Sequence, residues 1–176
     1  MSLHVPARRD PLLAIVQLLL GVSMAAMLFF AVIIALSVPL VLLFREQALE
    51  VLVKQGAPSD AIWAVTVVVA LAALICLLIY FFLRYLRRIV ASVGEGDPFT
   101  PANADRLRAM AWLSASVHLL AIPIAVLRHW AVSLSPHFRF DMQTPFSGLF
   151  LALILFILAR VFREGARMRE ELDGTV

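Results

Sequence analysis

Lysine, arginine, aspartate and glutamate are missing from four long stretches of this chain, residues 11–44, 61–83, 109–127 and 142–159. The four stretches make up 94 of the 176 residues. A helix needs about 20 residues to cross a hydrocarbon core of about 30 Å. Four crossings therefore fit. The 82 residues left over fall into five segments, the longest of 25 residues, which is below the roughly 50 residues of a small independent domain. A cytosolic enzyme and a globular DNA-binding domain are excluded. Composition agrees, with 62% apolar residues, 15% charged and a mean hydropathy of +0.95. The expected fold is an all-α membrane protein, a four-transmembrane-helix bundle forming a single transmembrane domain over residues 1–176. Its spans are placed at about 12–38, 61–83, 109–127 and 146–163.

The remaining charges set the orientation. Cytoplasmic segments carry excess Lys and Arg. Residues 1–10, the connection 84–108 and the tail 164–176, together with Arg160 and Arg163, hold 11 of the 15 basic residues; the other two connections hold four. Both termini and the 84–108 connection are thus expected in the cytoplasm. Trp63 and Trp130 fall at the expected outer ends, and Tyr80, Tyr85 and Trp112 near the inner ends, as interfacial aromatics do. The net charge of +3 and pI near 9.7 then reflect topology and lipid headgroups, not direct contact with nucleic acid. The apolar run after Arg8 and Arg9 is longer than a signal-peptide core, so the first span is expected to be retained.

Local signals place the helix ends. Asp10 and Pro11 suit a helix start, as do Ser59 or Asp60, and Thr100 with Pro101. Residues 11–44 as one helix would reach about 51 Å, so a break or kink is expected at Pro39; Pro123 is a second kink candidate. Gly94 to Pro101 reads as a turn. The first turns of the third helix are amphipathic and should lie outside the hydrocarbon. Arg160, Glu164, Arg167 and Glu171 lie on one stripe and extend the fourth helix toward Gly174, a plausible end. Small residues recur four apart at Gly21/Ala25, Ala111/Ala115, Ala121/Ala125 and Gly148/Ala152. Such pairs serve packing within the bundle or a homo-oligomer seam.

Little chemistry is visible. No acidic or basic side chain lies inside the four uncharged stretches, which argues against proton- or cation-coupled transport. Cys76 stands alone, so neither a disulfide nor a thiol-redox pair is available. His118, one turn after Ser114, is the one intramembrane ionisable group. It reads either as a proton relay or pH sensor, or as a neutral imidazole hydrogen-bonded to Ser114 or a neighbouring helix. His129, His137 and Asp141 have spacings of no standard metal site. No catalytic residue, metal or cofactor is assigned.

Two segments carry a resemblance. Gly96-Asp97-Pro98-Phe99 followed by Asn103, Leu107 and Arg108, and a tail with Phe162, Gly165, Glu171, Asp173, Thr175 and Val176, resemble the bacterial membrane-protein family called domain of unknown function 2975. The resemblance extends over essentially the whole chain. Gly174 departs from it, since an apolar residue is usual there. The resemblance implies a four-span protein of the bacterial inner membrane. It also implies a cytoplasmic partner, because genes of this family often lie beside one for a small helix-turn-helix regulator.

The expected function is therefore that of a non-enzymatic sensor or tether for such a regulator, with docking on the motif residues of the 84–108 connection and tail. The alternatives are a small carrier or channel for an apolar or amphipathic compound, lined by Ser114 and His118, and a structural or lipid-interacting protein. The expected partners are membrane lipids, the regulator and a second copy of the chain.

Overall fold

A computed structural model describes residues 11–54, 61–134 and 147–173, which form five helices. They are α1 (Pro11–Leu43), α2 (Arg45–Lys54), α3 (Ala61–Gly94), α4 (Pro101–Leu134) and α5 (Ser147–Asp173). Three are long and apolar enough to cross a bilayer: α1, α3 and the Pro101–Leu127 part of α4. The chain is a multi-pass membrane protein. In α5 the helix has 13 uncharged residues, 147–159, before Arg160, about 20 Å at 1.5 Å per residue. The expected caps at Asp10, Ser59 and Asp60, the helix end at Gly174, and Thr175, Val176, His137 and Asp141 lie outside the described residues.

Of the break or kink expected at Pro39, the break does not occur, and the helix continues to Leu43. Proline removes one backbone hydrogen bond, whereas an open stretch in hydrocarbon would leave several groups unpaired. The 45–60 connection also contains a helix, α2, tied to α3 where the Arg45 guanidinium lies over the Trp63 ring at 5.7 Å. Pro123 likewise sits within α4.

The helices pack in the order α1, α3, α4, α5, with α1 touching α3 and α2 but neither α4 nor α5. The described helices thus form an open row. Neighbours along it are antiparallel: Leu13 at the start of α1 lies beside Gly94 at the end of α3, and Arg169 late in α5 pairs with Asp97. The start of α1 and the end of α5 therefore share one end of the molecule with the α3–α4 turn.

The core sits at that same end. Ile89, Leu107, Met110, Ala111, Leu155 and Ala159 are buried together, flanked by Phe82, Tyr85, Leu86, Phe156 and Phe162. Away from it, large apolar side chains are exposed along every spanning helix, as Leu18, Phe29, Trp63 and Leu119 are. That is expected where lipid is the solvent. The α4–α5 contact is a heptad seam. Buried Ala104, Leu107, Ala111 and Ser114 on α4 face Ala152, Leu155, Ala159 and Ala166 on α5. Alternating steps of three and four give the shallow crossing of coiled coils. Small residues allow close approach in lipid. Gly21, by contrast, has nothing within 4 Å of where a Cβ would stand.

The turn between α3 and α4 is built from backbone bonds. The Asp97 amide donates to the Ser92 carbonyl (3.1 Å) and the Gly96 amide to the Val93 carbonyl (3.1 Å). This pair of bonds, with Gly96 at φ 82°, is a Schellman helix end. On the far side Thr100 caps α4: the Asn103 amide donates to its Oγ1 at 3.2 Å, and Pro101 opens the helix. Since a Cβ on Gly96 would meet nothing within 4 Å, Gly96→Ala is charged only for the left-handed backbone, about 1–2 kcal/mol. Gly96→Asn should cost less, because Asn tolerates that region. Thermal unfolding in detergent of the three proteins should rank them Gly, Asn, Ala.

Candidate functional site

One side chain closes this turn. Asn103 occupies the third position of α4 and is fully buried at 0% exposure. Its Nδ2 donates to Ser92 Oγ at 2.6 Å and to the Pro98 carbonyl at 2.8 Å. Its Oδ1 accepts from the Arg106 guanidinium at 2.7 Å. Ser92 Oγ in turn donates to the Ile89 carbonyl at 2.7 Å. A carbonyl can only accept and a guanidinium only donate, so the amide has a single orientation. The end of α3, the turn and the start of α4 are thereby held by one group. No buried side-chain N or O among the described residues lacks a partner.

The tail of α5 docks on this knot. The Phe99 ring packs on Phe162 with centroids 4.9 Å apart. It also lies over Gly165, where a Cβ would stand 3.1 Å from Phe99 Cδ1. Any larger residue at 165 would push the ring away. On either side of the aromatic contact lies an ion pair. Arg163 donates to Asp105 at 2.8 Å, and Arg169 to Asp97 at 2.5 Å. All four charged side chains are about half exposed or more. Such pairs contribute at most about 1 kcal/mol each, so they fix register more than stability.

The two motif segments, far apart in sequence, thus form one joint. Gly96, Pro98, Phe99 and Asn103 build the turn, and Leu107 enters the core at 4% exposure. Gly165 receives Phe99. Arg108 is exposed beside α5 and has no ion-pair partner among the described residues. Glu171 faces Arg167 at 3.7 Å, outside the joint, and Asp173 ends α5. The charged stripe expected on α5 is local: Arg167 bridges Glu164 and Glu171. The docking face is an adjacent one carrying Phe162, Gly165, Ala166 and Arg169. Sequence reading missed Ser92, Asp105 and Arg163. A lone serine late in a helix carries no signal. The expected topology already made α4 and α5 antiparallel; the ion pairs required their register as well, which spacing within one helix does not give.

The intramembrane pair lies elsewhere, in the α4–α5 seam. Ser114 Oγ donates to the Gly148 carbonyl at 3.1 Å. His118 Nδ1 lies 2.9 Å from the Ser114 carbonyl, which can only accept, so Nδ1 carries the hydrogen. The imidazole lies against Gly148, where a Cβ would overlap it. Both residues are packing partners between helices. Among the described residues no three His, Cys, Asp or Glu side chains converge to hold a metal. His129 falls in the last turns of α4.

Asn103→Ala leaves the Pro98 carbonyl without its donor, at a cost of about 1–3 kcal/mol. Asn103→Asp keeps the shape but turns an acceptor toward that carbonyl, so it should destabilise at least as much. Unfolding in detergent that leaves Asn103→Asp unchanged would count against the knot. In the seam, Gly148→Ala should destabilise by about 1–3 kcal/mol through overpacking. His118→Ala should relieve most of that loss in the double variant, which a double-mutant cycle would read as strong coupling.

The family comparison covers both halves of the joint. A family model described as protein of unknown function (DUF2975) matches residues 37–176. The match begins late in α1, so it leaves out residues 1–36 and is shorter than the whole-chain resemblance expected. No curated protein and no solved structure matches the chain. With the turn, the tail and the helices between them all inside the matched region, the chain belongs to the DUF2975 family of proteins of unknown function.

Proposed function

We propose that this protein is a non-enzymatic sensor or tether of the bacterial inner membrane, which holds a cytoplasmic helix-turn-helix regulator on the joint between its turn and its tail. In this reading α5 is the fourth span and both termini are cytoplasmic. Three features support that topology. The uncharged stretch before Arg160 extends back to residue 142 in sequence. The start of α1 and the end of α5 lie at one end of the molecule. That end also carries the arginines of α3 and α5 and two of the three in α4, Arg106 and Arg108, in keeping with the excess of basic residues on cytoplasmic segments.

The observation that carries the proposal is the joint itself. Turn residues Asp97 and Phe99, on a turn fixed by Asn103, and tail residues Phe162, Gly165 and Arg169 make one surface beyond the charge-free part of the helices. Residues held rigidly outside the bilayer suit recognition better than they suit lipid packing. A carrier lined by Ser114 and His118 has weaker support, because the imidazole is packed on Gly148 and Nδ1 is already bonded.

The test is copurification in mild detergent from cells that also make a small helix-turn-helix regulator of the Cro-like type. The intact protein should retain the regulator. Asn103→Ala, and deletion of residues 170–176, should each lose it while the protein still reaches the membrane. If both variants keep the regulator, or the intact protein brings none, the proposal fails.

A further inference from the structure

Arg108 and Arg160 are the first charged residues beyond the uncharged stretches 109–127 and 142–159. Leu107 and Ala111 pack in one cluster with Leu155 and Ala159, which brings the two arginines to the same level. There they line a groove of about 410 Å³ between α4 and α5, together with Phe156, Ala159, Arg163 and Glu164.

The charges in this groove do not balance. Arg163 is held by Asp105 and Glu164 by Arg167. Arg108 and Arg160 are exposed and have no ion-pair partner among the described residues. Two guanidinium groups therefore face one groove uncompensated. Guanidinium groups match phosphate oxygens in geometry as well as charge.

The apolar part of the groove's lining is Phe156 and Ala159. Trp112, one turn deeper than Arg108, is 60% exposed and meets Phe156 edge to face at 5.4 Å. An exposed tryptophan at the edge of a charge-free segment marks headgroup depth. A second groove of about 520 Å³ runs along Ile157 and Val161 on the far side of Arg160. This arginine thus stands between two channels that are apolar on one side, along Phe156 and Ala159 in the first and Ile157 and Val161 in the second, and that both border Glu164, which Arg167 holds. The occupant must carry negative charge at one end and apolar chains at the other.

We propose that this groove binds an anionic phospholipid, with Arg108 and Arg160 on the phosphate and the acyl chains along Phe156, Trp112 and Ile157. Arg84, Arg87 and Arg88 on α3 are exposed as well but line neither groove, so they serve as the internal comparison. The proposal does not involve the regulator, and its test contains none.

The experiment is native mass spectrometry of the full-length protein in detergent, with phosphatidylglycerol and phosphatidylcholine of matched chains. The protein should retain phosphatidylglycerol over phosphatidylcholine by roughly tenfold, as expected when two basic side chains meet one phosphate. Arg108→Gln/Arg160→Gln should bring phosphatidylglycerol down to the phosphatidylcholine level. Arg84→Gln/Arg87→Gln should leave the preference intact. The proposal is overturned if the first double variant keeps the preference, or if the second loses as much, since a diffuse basic surface would then suffice. It is also overturned if millimolar inorganic phosphate strips the lipid as completely as the first double variant, which would make this a site for free phosphate.

Discussion

Everything at the basic end of this protein depends on the amide of Asn103. It reaches the last turn of α3 through Ser92, the turn through Pro98, and its own helix through Arg106. In a membrane protein this kind of interaction decides the arrangement. Lipid chains are as apolar as leucine, so burying leucine against leucine gives little preference for one helix pairing over another. A buried amide with three partners does give a preference, because any shift of α3 against α4 leaves a donor or acceptor unpaired in a dry place. The Schellman bonds and the Thr100 cap shape the turn. Asn103 makes that shape the only one available.

The second constraint is spacing along α4, which serves two neighbours. Its heptad positions Ala104, Leu107, Ala111 and Ser114 face α5, while Asn103 reaches back to α3. Because the small side chains bring α5 close, Phe162 and Gly165 arrive where Phe99 leaves the turn. The joint is thus a consequence of the seam continued past the hydrocarbon edge. α1 takes no part in it, packing on α3 alone among the long helices, and the family match starts only at residue 37.

The helices were legible in the sequence because absence of charge is a property of long windows, and Thr100 and Pro101 announced the start of α4 correctly. At Pro39 the sequence left a break and a kink open; the break does not occur, because an open backbone that water would solvate would go unpaired in hydrocarbon. The joint was half legible. Its residues in the turn and tail were singled out by resemblance, but their mutual contact was not, since Asp97 with Arg169 and Asp105 with Arg163 are separated by dozens of residues. Ser92 was invisible, as one hydroxyl in a helix has many uses. His118 was legible as polar and in need of a partner. That its ring needs a glycine opposite is a fact about shape, which only the packed pair of helices displays.

The strengths of the contacts divide the joint into two parts. Asn103 is fully buried and charge-assisted through Arg106, so it opens only when α3 and α4 come apart. The tail is held differently, by the partly exposed Phe99–Phe162 contact, by Ala166 buried against α4 and by two ion pairs open to water. Exposed pairs weaken further as salt rises. The tail can therefore leave the turn at a much smaller cost than the turn can unfold. A sensor requires an element with two accessible arrangements, and it responds only to a ligand that binds them unequally. In the sensor proposed above, the fixed turn and the tail docked on it would be that element. Unequal binding then falls to whatever contacts Asp97, Phe99 or Arg169, because each of these side chains is partly used in the closed joint and would be freed in the open one.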